Sequence, residues 1–130
     1  MAELPEEVKL FLIESTEGLD NVESKLLELE RHPSELGGVQ DVFRAVHTIK
    51  GNSGFLGLKG LETLCHRGET VLDRIRKGQL VPTPQHVSVL LEFVDRVRDM
   101  LGQLEHEGAI SLFDNDELLK KLEREALIPS

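Results

Sequence analysis

Two short motifs in this chain combine side-chain types that phosphoryl or metal chemistry uses. The first is His47-x-x-Lys50-Gly51, and the second is His66-x-x-Glu69. A neutral imidazole has one N–H and one nitrogen lone pair, so a carboxylate that accepts the N–H leaves the other nitrogen as a nucleophile. A nearby ammonium group would stabilise a phosphoryl group on that nitrogen. If the two motifs converge in the fold, they could therefore carry a phosphoryl group.

The same residue types also allow other interpretations. His47, His66 and Glu69 could ligate zinc, since two imidazoles and a carboxylate form a known catalytic set. Neither motif has the His-x-x-x-His spacing of helical zinc sites, and the Lys50 ammonium would repel a divalent cation. The polar residues could also be incidental to a bundle that only binds other proteins. Cys65 lies on an apolar stripe, which favours a core position over a nucleophilic role.

Two glycines, Gly51 and Gly54, follow His47 within what reads as a helix. Each costs about 1 kcal/mol of helix propensity relative to alanine. Without side chains, they would lower the surface beside the imidazole and let another protein approach closely. They could instead mark the end of the helix.

Helical periodicity dominates the elements that must position these residues. We predict an all-α fold, an antiparallel up-down four-helix bundle with an additional C-terminal fifth helix. Thr83 is expected to cap the fourth helix, and Asp114 with Glu117 to cap the fifth. The predicted helices span residues 5–31, 38–54, 58–77, 84–107 and 115–127.

The helical faces predict where the polar residues lie. His47 falls on the flank of the second helix, between its solvated face and a core face that includes Phe43. Glu69 falls on the flank of the third helix, with His66 further toward solvent. If these helices are antiparallel neighbours, the two motifs face each other. No role is predicted for the remaining histidines, His32, His86 and His106.

Composition limits the classes of function. The 130 residues suit a single domain, and the formal net charge of −9 disfavours nucleic acid and anionic membranes as partners. No run approaches the roughly 18 apolar residues of a membrane span. A single cysteine allows no internal disulfide, and the N-terminus shows no secretory signal, so we expect a cytoplasmic protein.

The motifs resemble a known family. "FRAVHTIKGNSGFLGL" followed by "LCHRGETVLDRIRKG" is similar to the histidine-containing phosphotransfer (HPt) domain. More narrowly, the sequence resembles the N-terminal phosphotransfer domain of CheA-type chemotaxis histidine kinases. Simpler freestanding phosphorelay members usually lack the His66 and Glu69 pair, which favours the chemotaxis type.

The resemblance implies a role for each matching residue. His47 would be the phosphoacceptor through Nε2, and Glu69 would accept a hydrogen bond from Nδ1 and orient the ring. Lys50 would stabilise the phosphate charge, and His66 would complete the hydrogen-bond network. Gly51, together with Gly54, would leave room for a docking partner.

The resemblance also implies partners. The donor would be the ATP-binding catalytic domain of a histidine kinase, which would bring ATP and magnesium, and the acceptor an aspartate of a response-regulator receiver. The domain would bind no cofactor or metal itself and would be a carrier rather than an enzyme. We expect it to be monomeric and to be a fragment of a larger multidomain kinase, with a freestanding carrier as the alternative.

Overall fold

The computed structural model describes residues 3–111 and 113–129. Over these residues the chain is helical and has no strand, which confirms the predicted all-α class. None of the described helices is both long and apolar enough to span a membrane. The helices are α1 (Glu6–Arg31), a 3-10 turn (Leu36–Gly38), α2 (Val39–Phe55), α3 (Lys59–Arg76), α4 (Pro84–Glu107) and α5 (Asp116–Glu125).

The first four helices pack as an antiparallel bundle. Helix α1 contacts α2 and α4, α2 packs extensively on α3, and α3 in turn contacts α4. Helix α5 packs against α3 and α4. This arrangement confirms the predicted bundle with a fifth helix, and its short connections make sequential helices antiparallel neighbours.

Apolar stripes at three- and four-residue spacing build the core, as the periodicity predicts. Every helix of the bundle turns one such stripe inward, because burying it removes apolar surface from water. In α1 the buried residues are Phe11, Leu12, Ser15, Leu19, Val22, Leu26 and Leu29. Val8 continues the same spacing toward the N-terminus and is only partly buried.

Capping at α4 follows the sequence, with one addition. The Thr83 side chain accepts a hydrogen bond from the backbone N–H of His86, and Pro84 occupies the first helical position. The His86 ring completes a capping box, because its Nδ1 accepts the Thr83 backbone N–H at 3.0 Å. The helix ends at Gly108, whose φ of 78° is the left-handed conformation that glycine adopts easily.

Helix α5 begins differently from the sequence prediction. Its N-cap residue is Asn115, which makes no side-chain capping bond. The Asp114 carboxylate instead accepts the backbone N–H of Asp116, two residues on, at 3.2 Å. The predicted capping box of Asp114 with Glu117 is therefore wrong, since the Asp114 side chain forms a local turn rather than a cap.

The C-terminal end of α5 is held by side chains of the bundle. His86 Nε2 donates to the backbone carbonyl of Glu125 at 3.1 Å, and the Arg74 guanidinium donates to the carbonyl of Ala126. The last carbonyls of a helix lack partners within the helix, so these two donors satisfy groups that would otherwise need water. A histidine with no predicted role thus links α4 to α5.

Close packing between α3 and α4 depends on Gly68. A Cβ atom at this position would lie 2.7 Å from Cζ of Phe93, whose ring is 1% exposed. We expect Gly68→Ala to lower the free energy of unfolding by about 1–3 kcal/mol, because the buried ring has no free space to move into. Urea denaturation followed by circular dichroism measures this loss.

Gly102→Ala is the matched control. Gly102 lies within α4, and a Cβ atom there would meet nothing within 4 Å. The control should keep or slightly raise stability, since alanine favours the helix by about 1 kcal/mol over glycine. Equal stability of the Gly68→Ala variant and the wild type would show that the core can accommodate the extra methyl group.

Candidate functional site

The site lies along the contact between α2 and α3. A three-residue turn at 56–58 joins these helices, and they run antiparallel. Several pairs mark the register along this contact. They are Gln40 with Arg76, His47 with Glu69, and Gly54 with Glu62. The register therefore brings the two sequence motifs face to face.

His47 and Glu69 form the central contact. His47 Nδ1 lies 2.5 Å from Glu69 Oε2, and Lys50 Nζ lies 2.8 Å from Glu69 Oε1. The Glu69 side chain is 13% exposed, whereas the His47 side chain is 61% exposed. The largely buried Glu69 carboxylate thus contacts both the imidazole and the ammonium group, while the imidazole ring remains exposed to solvent.

The electrostatic environment keeps Glu69 ionised. Burial alone would raise the pKa of this carboxyl group, but hydrogen bonds and charge from Lys50 and then His47 outweigh it and lower the pKa below the ordinary value. An ionised carboxylate only accepts hydrogen bonds. His47 Nδ1 must therefore carry the proton, which leaves the lone pair of a neutral imidazole on Nε2.

His66 does not join this contact. Its side chain is exposed, and within the described residues it makes no hydrogen bond to His47, Lys50 or Glu69. It lies beside Lys50 and Arg67 around a shallow, open depression. The hydrogen-bonding role of His66 stays a prediction.

The two glycines differ in their surroundings. A Cβ atom on Gly51, one turn after His47, would meet nothing within 4 Å, so the surface there is open. A Cβ atom on Gly54 would collide with the carboxylate of Glu62 on α3. A side chain on Gly54 would therefore displace the flexible end of Glu62, and a docking role stays a prediction for both residues.

Phe43 and Arg76 contact the site, although the sequence did not indicate it. The Phe43 ring stacks on the His47 ring, with 5.9 Å between centroids and 18° between planes. The Arg76 guanidinium lies 4.0 Å from the Phe43 centroid. Phe43 was expected on the core face, yet it is only partly buried and lies at the edge of the α2–α3 contact. Its four-residue spacing from His47 was the available signal.

The zinc alternative lacks its ligand set. Among the residues that the structure describes, no group of three His, Cys, Asp or Glu side chains is arranged to hold a metal ion. The predicted ligands His47 and Glu69 meet, but His66 stands apart from them. Burial raises the pKa of the Cys65 thiol to about 12, so Cys65 is a core residue with little thiolate character.

Lys50 should control the ionisation of Glu69. We expect Lys50→Met to raise the pKa of the Glu69 carboxyl group, because burial then meets less opposing charge. Ionised Glu69 stabilises the fold above its ordinary pKa of 4.5, and this contribution is lost as the pH falls through the lowered value. The variant should therefore lose stability near pH 7 and approach the wild type in acid. A ¹³C NMR titration of the Glu69 carboxyl carbon measures the shift.

Lys121→Met provides the control for this titration. Lys121 of α5 pairs with Glu92 of α4 at 3.2 Å, so neither residue belongs to the α2–α3 contact. It removes the same charge and should leave the Glu69 titration unchanged. The same midpoint for Glu69 in Lys50→Met and wild-type protein would contradict the electrostatic account.

Comparison with known families decides the classification. The family model described as "Hpt domain" matches residues 6–107, which include all four helices of the bundle and with them the α2–α3 contact. The chain belongs to the Hpt domain family. Hpt domains are phosphotransfer carriers, so the family agrees with the resemblance that the two motifs carry.

Curated relatives of this Hpt domain include a sensor histidine kinase and a chemotaxis protein. The "Sensor histidine kinase CheAY" of Helicobacter pylori is 38% identical over 109 residues, which are 84% of this chain and 14% of that protein. The "Chemotaxis protein CheA" of Bacillus subtilis is 38% identical over 114 residues, 88% of this chain and 17% of that protein. The chain thus spans about a sixth of the length of these relatives, or less.

A solved structure has the same bundle as this Hpt domain. It is the crystal structure of the phosphorylated P1 domain of CheA3 in complex with CheY6 from R. sphaeroides. The two share 30% sequence identity and a TM-score of 0.86, over 93% of this chain and 95% of that one. The Hpt domain described here is therefore a histidine phosphotransfer domain of the CheA P1 type.

Proposed function

We propose that Nε2 of His47 carries the phosphoryl group of this Hpt domain. The observation that supports this assignment is the 2.5 Å contact between His47 Nδ1 and the Glu69 carboxylate under an exposed ring. It leaves the nucleophilic lone pair on the nitrogen that faces away from Glu69. Among the described residues, the other histidines lack this carboxylate contact on Nδ1.

The first step is attack on a phosphorus atom. The Nε2 lone pair bonds to the γ-phosphorus of ATP, the bond from that phosphorus to the β-phosphate oxygen breaks, and ADP leaves. The product is an imidazolium that keeps its proton on Nδ1. Because this proton already lies against the Glu69 carboxylate, the carboxylate stabilises the positive charge that develops on the ring.

The second step returns the imidazole to its starting state. A receiver aspartate oxygen bonds to the phosphorus, and the bond between phosphorus and His47 Nε2 breaks. The electron pair of that bond returns to Nε2 as the lone pair, and the ring becomes neutral. The proton stays on His47 Nδ1 throughout, hydrogen-bonded to the Glu69 carboxylate, so the domain needs no proton donor of its own.

Lys50 and His66 would act on the phosphoryl group rather than on the ring. Lys50 is 22% exposed and uses one donor on Glu69. An ammonium group has three donors, so two remain for phosphoryl oxygens. His66 lies beside Lys50 at the rim of the same depression and could donate a further hydrogen bond to the phosphorylated form.

The docking partner would cover the side of α2 that carries His47 and Gly51. A receiver must bring its aspartate to His47 Nε2, so the surface around that atom has to be a contact surface. Phe55, two turns beyond His47, is 87% exposed and borders a shallow groove with Leu10 of α1. Gly51 and Gly54 lie between His47 and Phe55 in α2. Because they have no side chains, they would let the partner approach the helix closely.

The relatives support a proposal for the phosphoryl donor and the cellular context. We propose that the domain is part of a longer histidine kinase whose ATP-binding domain supplies ATP and magnesium. The domain itself would be a monomeric carrier without cofactor, which works in the cytoplasm. A CheY-type receiver is the proposed acceptor, because the P1 domain of CheA3 is described in complex with CheY6.

A labelling and transfer experiment tests the proposed function. The chain is incubated with the cognate ATP-binding kinase domain and γ-³²P-ATP, then repurified and mixed with receiver and magnesium. We expect acid-labile, base-stable label on the chain and its rapid transfer to the receiver. A receiver with its acceptor aspartate replaced by asparagine should receive none. An unlabelled chain would instead favour the alternative of an interaction bundle.

A further inference from the structure

Two side chains, Phe43 and Arg76, form a row against the face of the His47 ring, the proposed phosphoacceptor. The Phe43 ring lies nearly parallel to the His47 ring, at 18° and with 5.9 Å between the centroids. The Arg76 guanidinium lies over the same Phe43 ring at 4.0 Å. Both distances fall in the range of favourable aromatic and cation–π contacts. The row joins α3 to the imidazole by a route separate from Glu69.

The contact with Glu69 alone does not fix the imidazole. A hydrogen bond at Nδ1 holds one atom of the ring, and the ring plane can still turn by coupled rotation about the Cα–Cβ and Cβ–Cγ bonds. The direction of the Nε2 lone pair changes with that turn. In-line attack on phosphorus needs the lone pair aimed along one direction, so a second contact against the ring face has a use.

Arg76 is itself held in place. Its guanidinium lies 2.6 Å from the Asp73 carboxylate and 3.4 Å from Oε1 of Gln40. Asp73 is also paired with Lys77 at 3.0 Å. These contacts anchor Arg76 on both α2 and α3, so the guanidinium can limit the movement of the Phe43 ring.

We propose that Phe43, restrained by Arg76, is a positioning residue that fixes the plane of the His47 ring and so aims Nε2 at the incoming phosphorus. The proposal rests on the assignment of His47 as the phosphoacceptor. Glu69 selects which nitrogen is the nucleophile, and Phe43 sets where that nitrogen points. The two contacts therefore act on different properties of one ring.

The alternative is that Phe43 only fills space. Phe43 is partly buried and packs against the core, so its loss also removes apolar contacts. Phe113 offers a matched comparison, because it is a phenylalanine of the same burial class that packs against the same core away from His47. A purely packing role predicts that leucine has the same effect at both positions.

The test compares Phe43→Leu, Phe43→Tyr and Phe113→Leu as substrates for the cognate kinase domain. For Phe43→Leu we expect kcat of phosphorylation to fall about three- to tenfold with KM unchanged, the range that loss of one aromatic pair gives. Phe43→Tyr keeps the ring and should restore the wild-type rate. Phe113→Leu should show the wild-type kcat at a temperature where all variants are folded.

NMR of the His47 ring separates positioning from tautomer selection without any phosphorylation. Wild-type protein should give nuclear Overhauser contacts between the ring protons of Phe43 and His47. In Phe43→Leu the His47 ring protons should shift as the ring current is lost, while ¹⁵N shifts still report a proton on Nδ1. A changed tautomer would overturn the proposal, because Phe43 would then act through Glu69.

A double variant tests the place of Arg76. If Arg76 acts through Phe43, Arg76→Gln should lower kcat in the wild-type background and add nothing in Phe43→Leu. Additive losses would overturn that part. Wild-type kcat in Phe43→Leu, with His47 labelled normally, would overturn the positioning role and leave the phosphoacceptor assignment intact. Failure of the wild-type chain to be labelled at His47 would instead contradict the proposed function.

Discussion

Replacing His47 by glutamine is expected to abolish phosphorylation of the domain. Glutamine keeps the approximate size and polarity of the side chain but has no nitrogen lone pair that can attack phosphorus. Because the His47 side chain is exposed at 61%, the replacement should leave the bundle folded. Label from γ-³²P-ATP should fall to background, while the circular dichroism spectrum and the thermal midpoint stay close to those of the wild type.

His106→Gln is the control for this experiment. His106 lies exposed in the last turn of α4, far from the α2–α3 contact in the chain. The His106→Gln variant should therefore be labelled like the wild type. Full labelling of His47→Gln would show that another residue carries the phosphoryl group. The Glu69 contact would then be a structural ion pair without a role in transfer.

Glu69→Gln is expected to slow phosphorylation by about 10- to 100-fold. Loss of a carboxylate that orients a metal-bound imidazole typically costs this much, and we expect a similar effect for the carboxylate that orients His47. The glutamine amide can either donate or accept, so it no longer forces the proton onto Nδ1. It also carries no negative charge to stabilise the imidazolium. Single-turnover labelling by excess kinase domain measures the rate of the chemical step.

Two observations would separate this effect from a general loss of structure. Glu92→Gln removes a carboxylate that pairs with Lys121 on the α4–α5 side, so it should leave the rate unchanged. The Glu69→Gln variant should also show a mixed His47 tautomer in ¹⁵N NMR. A wild-type rate in Glu69→Gln would contradict the orienting role. The ion pair with Lys50 would then be the only role left for the Glu69 carboxylate.

The sequence predicted the contact between the two motifs because helical geometry determines it. His47 and Glu69 each lie on the flank of an amphipathic helix, and antiparallel neighbours bring such flanks together. The apolar stripes determine which face of each helix is buried. They therefore predict the bundle and the contact of His47 with Glu69. The pairing of Lys50 with the same carboxylate follows from its position one turn later.

Features that depend on particular distances between helices could not be predicted. Phe43 packs against the core from the expected face, but its stacking on the His47 ring was not predicted. At Gly54, the sequence does not indicate that a Cβ atom would meet the end of the Glu62 side chain on α3. In both cases the periodicity predicts which side of a helix faces the core only to within tens of degrees. The contact depends on smaller rotations of the helix about its axis.

Capping at α5 failed for a related reason. The spacing of Asp114 and Glu117 fits a capping box, but Asp114 also fits a local turn, and the turn is what forms. The link from His86 to Glu125 joins residues far apart in the chain, so no local pattern indicates it. Contacts of this kind depend on where α5 packs, which is a property of the assembled bundle.

The most direct test of the central claim is the position of the phosphoryl group on the His47 ring. The chain is labelled with ¹⁵N on histidine, phosphorylated by the kinase domain, and studied by ¹H–¹⁵N and ³¹P NMR at neutral pH. We predict phosphorus coupled to Nε2 of His47 and a proton retained on Nδ1. Phosphorus on Nδ1, or an unmodified His47 in labelled protein, would contradict the account.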